Sequence, residues 1–141
     1  NVLPEFQELK DINMKSAMED VELPFHLAYD ANGNFIGAAV ETFTNKGFSG
    51  NISLMVGILA DGTVNNISVL QHAETPGLGS KMSEPSFKDQ FNNKHADSFN
   101  FNVTKDGGDV DAITAATISS RAFCDAVNRA ISTFENNKGG F

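Results

Sequence analysis

From Ile52 to Leu70 the chain alternates, turns once and alternates again. Ile52, Leu54, Val56 and Ile58 recur at every second position, Asp61-Gly62 supplies a turn, and Val64, Ile67, Val69 and Leu70 return. A period of two sends successive side chains to opposite faces, so this stretch predicts a β-hairpin with one buried face. A second hairpin is predicted just upstream: Phe25 to Asp30, a turn at Ala31-Asn32-Gly33-Asn34, then Phe35 to Phe43. The hairpin over 52–70 is expected at the centre of an antiparallel sheet. Further on the period changes. Ile118, Ala122, Phe123, Ala126, Val127, Ala130, Ile131 and Phe134 are spaced by three and four and form one stripe on a helix. Together these patterns predict an α+β fold: an antiparallel sheet of successive hairpins, flanked by helices that include a C-terminal one.

The remaining segments are read more coarsely. Phe6, Leu9, Ile12 (or Met14), Ala17 and Met18 lie near helical spacing, so residues 4–20 are expected to be helical, as a lead-in over 1–20. Phe87 and Phe91, four apart, suggest a short helix from Ser83 to about Asn92, and Phe99, Phe101 and Val103 suggest another strand. Lys105 to Asp109 reads as a loop. The Gly- and Asn-rich end is expected to fray, leaving 21–136 as the domain and 137–141 as a flexible tail.

Ten basic and 18 acidic residues give 10 − 18 = −8. That balance argues against nucleic acid, whose phosphates need clustered Lys and Arg, and against docking on anionic lipid. A single cysteine, Cys124, excludes an internal disulfide and a Cys-rich cluster, and its place in the helical stripe suggests a buried thiol. His26, His72 and His95 show no metal-ligand spacing, and no Gly-x-Ser-x-Gly, dinucleotide or Walker glycine pattern is present. No apolar run reaches the ~20 residues of a membrane span.

Two stretches carry the chemistry. The first is Asp111-Ala112-Ile113-Thr114-Ala115-Ala116-Thr117, directly before Ile118 and the helical stripe. A helix start near Thr117 offers unpaired N–H groups and partial positive charge to an anion such as a phosphate. On local physics alone the same residues read first as an ordinary cap. The second is Glu74-Thr75-Pro76-Gly77-Leu78-Gly79, where Pro-Gly forces a turn and the glycines permit close backbone approach to a planar ligand, with Leu78 as an apolar surface. On its own it is also readable as a plain turn.

Both stretches, with Gly47-Phe48-Ser49-Gly50, resemble the FMN-binding domain family over roughly residues 45 to 125. The first is similar to that family's flavinylation motif, Asp-x-x-(Ser/Thr)-Gly-Ala-(Thr/Ser), and the second to its flavin-contacting loop. The resemblance implies FMN attached through a phosphodiester to Thr117, with Asp111 and Thr114 as recognition or positioning residues. Ala115, Ala116, Ile118, Glu74, Thr75, Pro76, Gly77, Leu78 and Gly79 are implied around the cofactor, and Lys105 is a candidate to neutralise its phosphate. Ala115 stands where the family usually has glycine. If that position has positive φ, alanine costs about 1 kcal/mol.

A threonine hydroxyl is a poor nucleophile and no general base is evident beside Thr117, so self-attachment is not expected. The resemblance implies instead a separate flavin transferase. The family includes the G subunit of the Rnf ion-translocating ferredoxin:NAD complex and the C subunit of the sodium-pumping NADH:quinone reductase. It therefore implies an electron-transfer domain, not an independent enzyme, working with other subunits of a membrane complex. It also implies an extracytoplasmic location behind a single N-terminal anchor helix that lies outside this sequence. The quinone reductase's C subunit is the near alternative, and a non-redox FMN-binding or structural module is another.

Overall fold

The alternating segments assemble into one five-stranded antiparallel meander in the order β1-β2-β3-β4-β5. The computed structural model describes residues 2–16 and 19–141. The strands are β1 Glu8–Lys15, β2 Glu22–Tyr29, β3 Phe35–Gly47, β4 Gly50–Leu59 and β5 Val64–Gln71. Both predicted hairpins are present. The centre of the sheet is the longer β3, however, because a further strand pairs with β2 and leaves β5 at an edge.

That further strand corrects the expected N-terminal helix. Residues 8–15 pair in register with β2, from Glu8 opposite Tyr29 to Lys15 opposite Glu22. The helical spacing of Phe6, Leu9 and Ile12 builds no buried face: these residues remain 40%, 46% and 37% exposed. Backbone pairing along the edge of β2 outweighs a stripe with no surface to cover. Ala17 and Met18, also assigned to that helix, lie outside the described residues. Ahead of β1, Val2 is buried on the sheet, its carbonyl accepting from Asn65 Nδ2 at 2.8 Å. Gly57 lies beneath it, and a Cβ there would collide with the Val2 backbone.

The opposite face of the sheet is covered by the long helix α2, Thr117–Asn137, after a short α1 at Pro85–Lys88. Ala122, Ala126 and Ala130 are fully buried, and small side chains allow close approach. The Thr42 hydroxyl donates to the Ala126 carbonyl at 2.8 Å, and that of Thr44 donates to Asp125 at 2.7 Å. Phe123 packs edge-on against Phe87 and also against Phe91, each at 5.0 Å between ring centres. Cys124 is buried as expected, and burial above all pushes its thiol up to about 12.

Two further expectations are corrected. Phe99, Phe101 and Val103 form no strand. Phe101 is buried through stacking on Phe91, and Asn100 accepts from the Asn102 N–H, drawing backbone donors away from a ladder. Val103 makes one isolated bridge, to Val110. At the C-terminus the Gly-Gly pair does not leave the end unpacked. Phe141 sits 5.2 Å from both Phe35 and Phe134, and 5.8 Å from Phe25.

The edge strand is tied in electrostatically. His26 on β2 contacts Asp11 of β1 at 2.7 Å and Glu41 of β3 at 2.8 Å, one carboxylate on each ring nitrogen. Burial favours the neutral ring, but the two carboxylates overcome it and raise the His26 pKa above 6.5. A raised folded pKa gives stability that is complete below the unfolded value and disappears as pH rises through the folded one. Wild type is therefore expected to exceed His26→Gln in stability by about 0.5–1 kcal/mol at acidic pH. The gap should close as pH rises past neutrality, as thermal melts across that range would show.

Candidate functional site

Three segments distant in sequence meet at the N-terminal end of α2, and Glu74 joins them. Its side chain follows β5 and is 4% exposed. One carboxylate oxygen accepts the Phe48 N–H at 2.9 Å and the Ser119 hydroxyl at 2.6 Å; the other accepts the Ser49 N–H at 2.9 Å. Burial opposes the charged form, but these three donors outweigh it and hold the carboxyl below its usual range. Glu74 is therefore ionised at neutral pH. Gly79 packs against the same joint. A Cβ there would come within 2.8 Å of the Glu74 Cβ and collide with the Ser119 hydroxyl.

In front of this joint lies a cavity of about 360 Å³. Phe48 lines it from the β3–β4 turn, Thr75, Leu78 and Gly79 from the loop after β5, and residues 115–119 from the helix start. Phe48, Ile118 and Leu78 are 67%, 50% and 39% exposed, so three large apolar side chains stand together at its walls. No side chain caps α2. The N–H groups of Thr117, Ile118 and Ser119 have no carbonyl one turn back to receive them within the helix. The serine hydroxyls beside them are already committed: Ser119 to Glu74, and Ser120 to the Ala116 carbonyl at 2.8 Å while accepting the Ile113 N–H at 2.9 Å. Thr117 is half-buried on the cavity wall, and its hydroxyl makes no side-chain hydrogen bond among the described residues.

The turn into the helix passes through Ala115 at φ +61°. This is the left-handed region that favours glycine, so the substitution noted in the sequence falls on a strained residue.

The first half of the motif faces elsewhere. Asp111 and Thr114 line a second groove of about 330 Å³ together with Lys81, Glu84 and Gln90. The Gln90 amide fixes this stretch by accepting the Asp111 N–H at 2.8 Å and donating to the Asp111 carbonyl at 2.9 Å. Pro76 and Gly77 form the tip of the loop, where the Gly77 N–H donates to the Ser80 hydroxyl at 3.0 Å, and neither lines the cavity. Lys105 is exposed on a 3-10 turn at Thr104–Asp106, outside both hollows. Its neighbour Asp106 makes two hydrogen bonds to Arg121, at 2.9 and 3.0 Å, one helical turn beyond Thr117.

Sequence reasoning did not single out Phe48 or Ser119 as cavity residues, or Gln90 as the support of Asp111. A signal existed for Ser119, because a glutamate set among apolar segments needs donors from somewhere. For Gln90 the sequence carries no signal.

Residues 47–132 match the family model described as the FMN-binding domain. Curated relatives include the G subunit of the ion-translocating oxidoreductase complex of Aliivibrio fischeri, 43% identical over 114 residues, covering 77% of this chain and 54% of that one. Another is the G subunit of the Na(+)-translocating ferredoxin:NAD(+) oxidoreductase complex of Acetobacterium woodii, 37% identical over 110 residues, covering 75% and 53%. The chain thus spans about half the length of these relatives. Among solved structures, the C subunit of the Na(+)-translocating NADH-quinone reductase of Parabacteroides distasonis superposes with a TM-score of 0.70 at 19% identity. The match covers 96% of this chain and 79% of that one, a likeness of fold.

Two substitutions test the local geometry, both read by chemical denaturation. Ala115→Gly should stabilise the protein by about 1 kcal/mol by relieving the positive φ. Gly79→Ala should destabilise it by roughly 2 kcal/mol or more, because a methyl group has no space between Glu74 and Ser119.

Proposed function

The chain belongs to the FMN-binding domain family, and on that footing we propose that it carries FMN covalently, through a phosphodiester to Thr117. The observation that bears most weight is the convergence at one cavity of the uncommitted Thr117 hydroxyl, the uncapped start of α2 and three exposed apolar side chains. The residues present fit such a group. The N–H groups of the first helical turn would face the phosphate and offset its charge. Phe48, Leu78 and Ile118 would shield an aromatic ring from water, and Thr75 with the adjacent backbone would bond a polar edge. When bound, the flavin supplies the redox chemistry, accepting and releasing electrons, while the protein positions it and adjusts its potential.

Attachment requires help. Among the described residues no base stands against the Thr117 hydroxyl, since the nearest buried carboxylate, Glu74, is engaged by Ser119 and two N–H groups. A separate flavin transferase would perform the transfer, with Asp111 and Thr114 presented to it in the neighbouring groove. Lys105, exposed nearby in sequence, would act at most on the approaching phosphate.

The carrier would serve a membrane ion-translocating complex of the ferredoxin:NAD type, as its G subunit. Relatives of that name are more similar in sequence than the quinone reductase component, whose resemblance is one of fold. Among the described residues no helix is long and apolar enough to cross a membrane. Anchoring to the membrane and an extracytoplasmic location are part of this reading.

Coexpression with a flavin transferase followed by intact mass measurement tests the attachment. Wild type should gain about 438 Da, FMN less one water, and Thr117→Ala should gain nothing. A flavin colour lost on denaturation would favour noncovalent binding instead. An unaltered mass with no colour would leave a structural module.

A further inference from the structure

Behind the cavity wall lies one charged group that the attachment of a cofactor does not use. Glu74 is almost fully buried, and its three donors, the Phe48 and Ser49 N–H groups and the Ser119 hydroxyl, are all neutral. Two of those donor residues, Phe48 and Ser119, themselves line the cavity, as does Gly79, which packs on the Glu74 side chain. The adjacent His72 accepts the Glu74 N–H through Nδ1 at 3.1 Å. The contrast with the other buried charge is informative. Arg129 is matched by Glu19 and Asp125, whereas among the described residues no Lys or Arg is paired with Glu74.

We propose that Glu74 tunes the cofactor, its buried charge behind the cavity wall lowering the reduction potential of the bound flavin. This rests on the FMN reading above. Reduction by a low-potential donor such as dithionite delivers two electrons and one proton to a flavin ring and leaves it one unit more negative. A fixed negative charge in a poorly solvated wall opposes that change. For an effective dielectric near 20 and a separation of roughly 10 Å, Coulomb's law makes the reduced form about tenfold less favoured. The depressed pKa of Glu74 keeps the charge present at neutral pH. Glu74 thus acts through its field from behind Ser119 and the β3–β4 turn, and it need not touch the ring.

The test compares flavin-loaded wild type, Glu74→Gln and Glu74→Asp by spectroelectrochemical titration at pH 7, with amide spectra of the unloaded proteins reporting whether the fold is kept. Glu74→Gln preserves shape and removes the charge, so the ratio of reduced to oxidised flavin at a fixed potential should rise about tenfold. Glu74→Asp retains the charge and should stay much closer to wild type. A purely structural role would disturb both variants alike or leave both potentials unmoved, and either result overturns the proposal. If Glu74→Gln does not fold, wild type is compared with free FMN in the same buffer. A lower potential for the protein-bound flavin supports the proposal, and an equal or higher one overturns it. Failure of wild type to load flavin overturns the carrier reading and this inference together; normal loading with an unmoved potential overturns this inference alone.

Discussion

The Glu74 carboxylate is the interaction on which the cavity depends. It spans 26 positions of sequence to Phe48 and 45 to Ser119, so it fixes two contacts that local folding cannot provide. Hydrogen bonds to a buried charge are worth more than neutral ones, and each donor left without a partner would carry a desolvation penalty of about 1–3 kcal/mol. The β3–β4 turn, the loop after β5 and the first turn of α2 therefore stay in register together. Gly79 is part of the same constraint, since the loop approaches the helix closely only where no Cβ intervenes.

The middle of α2 is held by different means. Arg129, twelve residues further along α2 than Thr117, reaches Glu19 and the Phe43 carbonyl, pairs with Asp125 at 3.1 Å and lies over the Phe43 ring at 4.8 Å. With Thr42 and Thr44 bonded to the same helix, this network fixes α2 against β3 in both height and rotation. The position of Thr117 follows, because a helix packed along its length transmits that placement to its first residue. Stability concentrated in the middle of the molecule is what allows the helix start to remain uncapped.

What could be read in the sequence follows from how far each signal reaches. The hairpins 25–43 and 52–70 and the stripe 118–134 were legible because periodicity and turn residues act over a few positions. Strand β1 was not, since its partner lies across a turn and its side chains are mostly exposed, Met14 alone among them packing on the core; pairing with β2 and the Asp11–His26–Glu41 contact define it. Phe99 and Phe101 look like a strand by alternation, yet an aromatic cluster satisfies them without one. The motifs identified the site region, but not which way their residues face. Glu74 points into the protein, while Asp111 and Thr114 open onto a separate groove. Facing is decided by long-range hydrogen bonds, those of Gln90 and Ser119 here, which leave no trace in local pattern.

Three features that would ordinarily be removed from a stable domain coincide around one cavity. Ala115 holds a positive φ, α2 begins without a side-chain cap, and Phe48, Leu78 and Ile118 stand exposed. Each is unfavourable for the free protein: the first by strain, the second by unpaired donors, the third by apolar contact with water. A ligand combining an anion with a flat apolar body reverses the second and third at once. The strain at Ala115 is of another kind. It remains whether the cavity is filled or not, because it is set by the path the backbone takes from Ile113 into the helix. That distinction separates what a cofactor would relieve from what the fold itself requires.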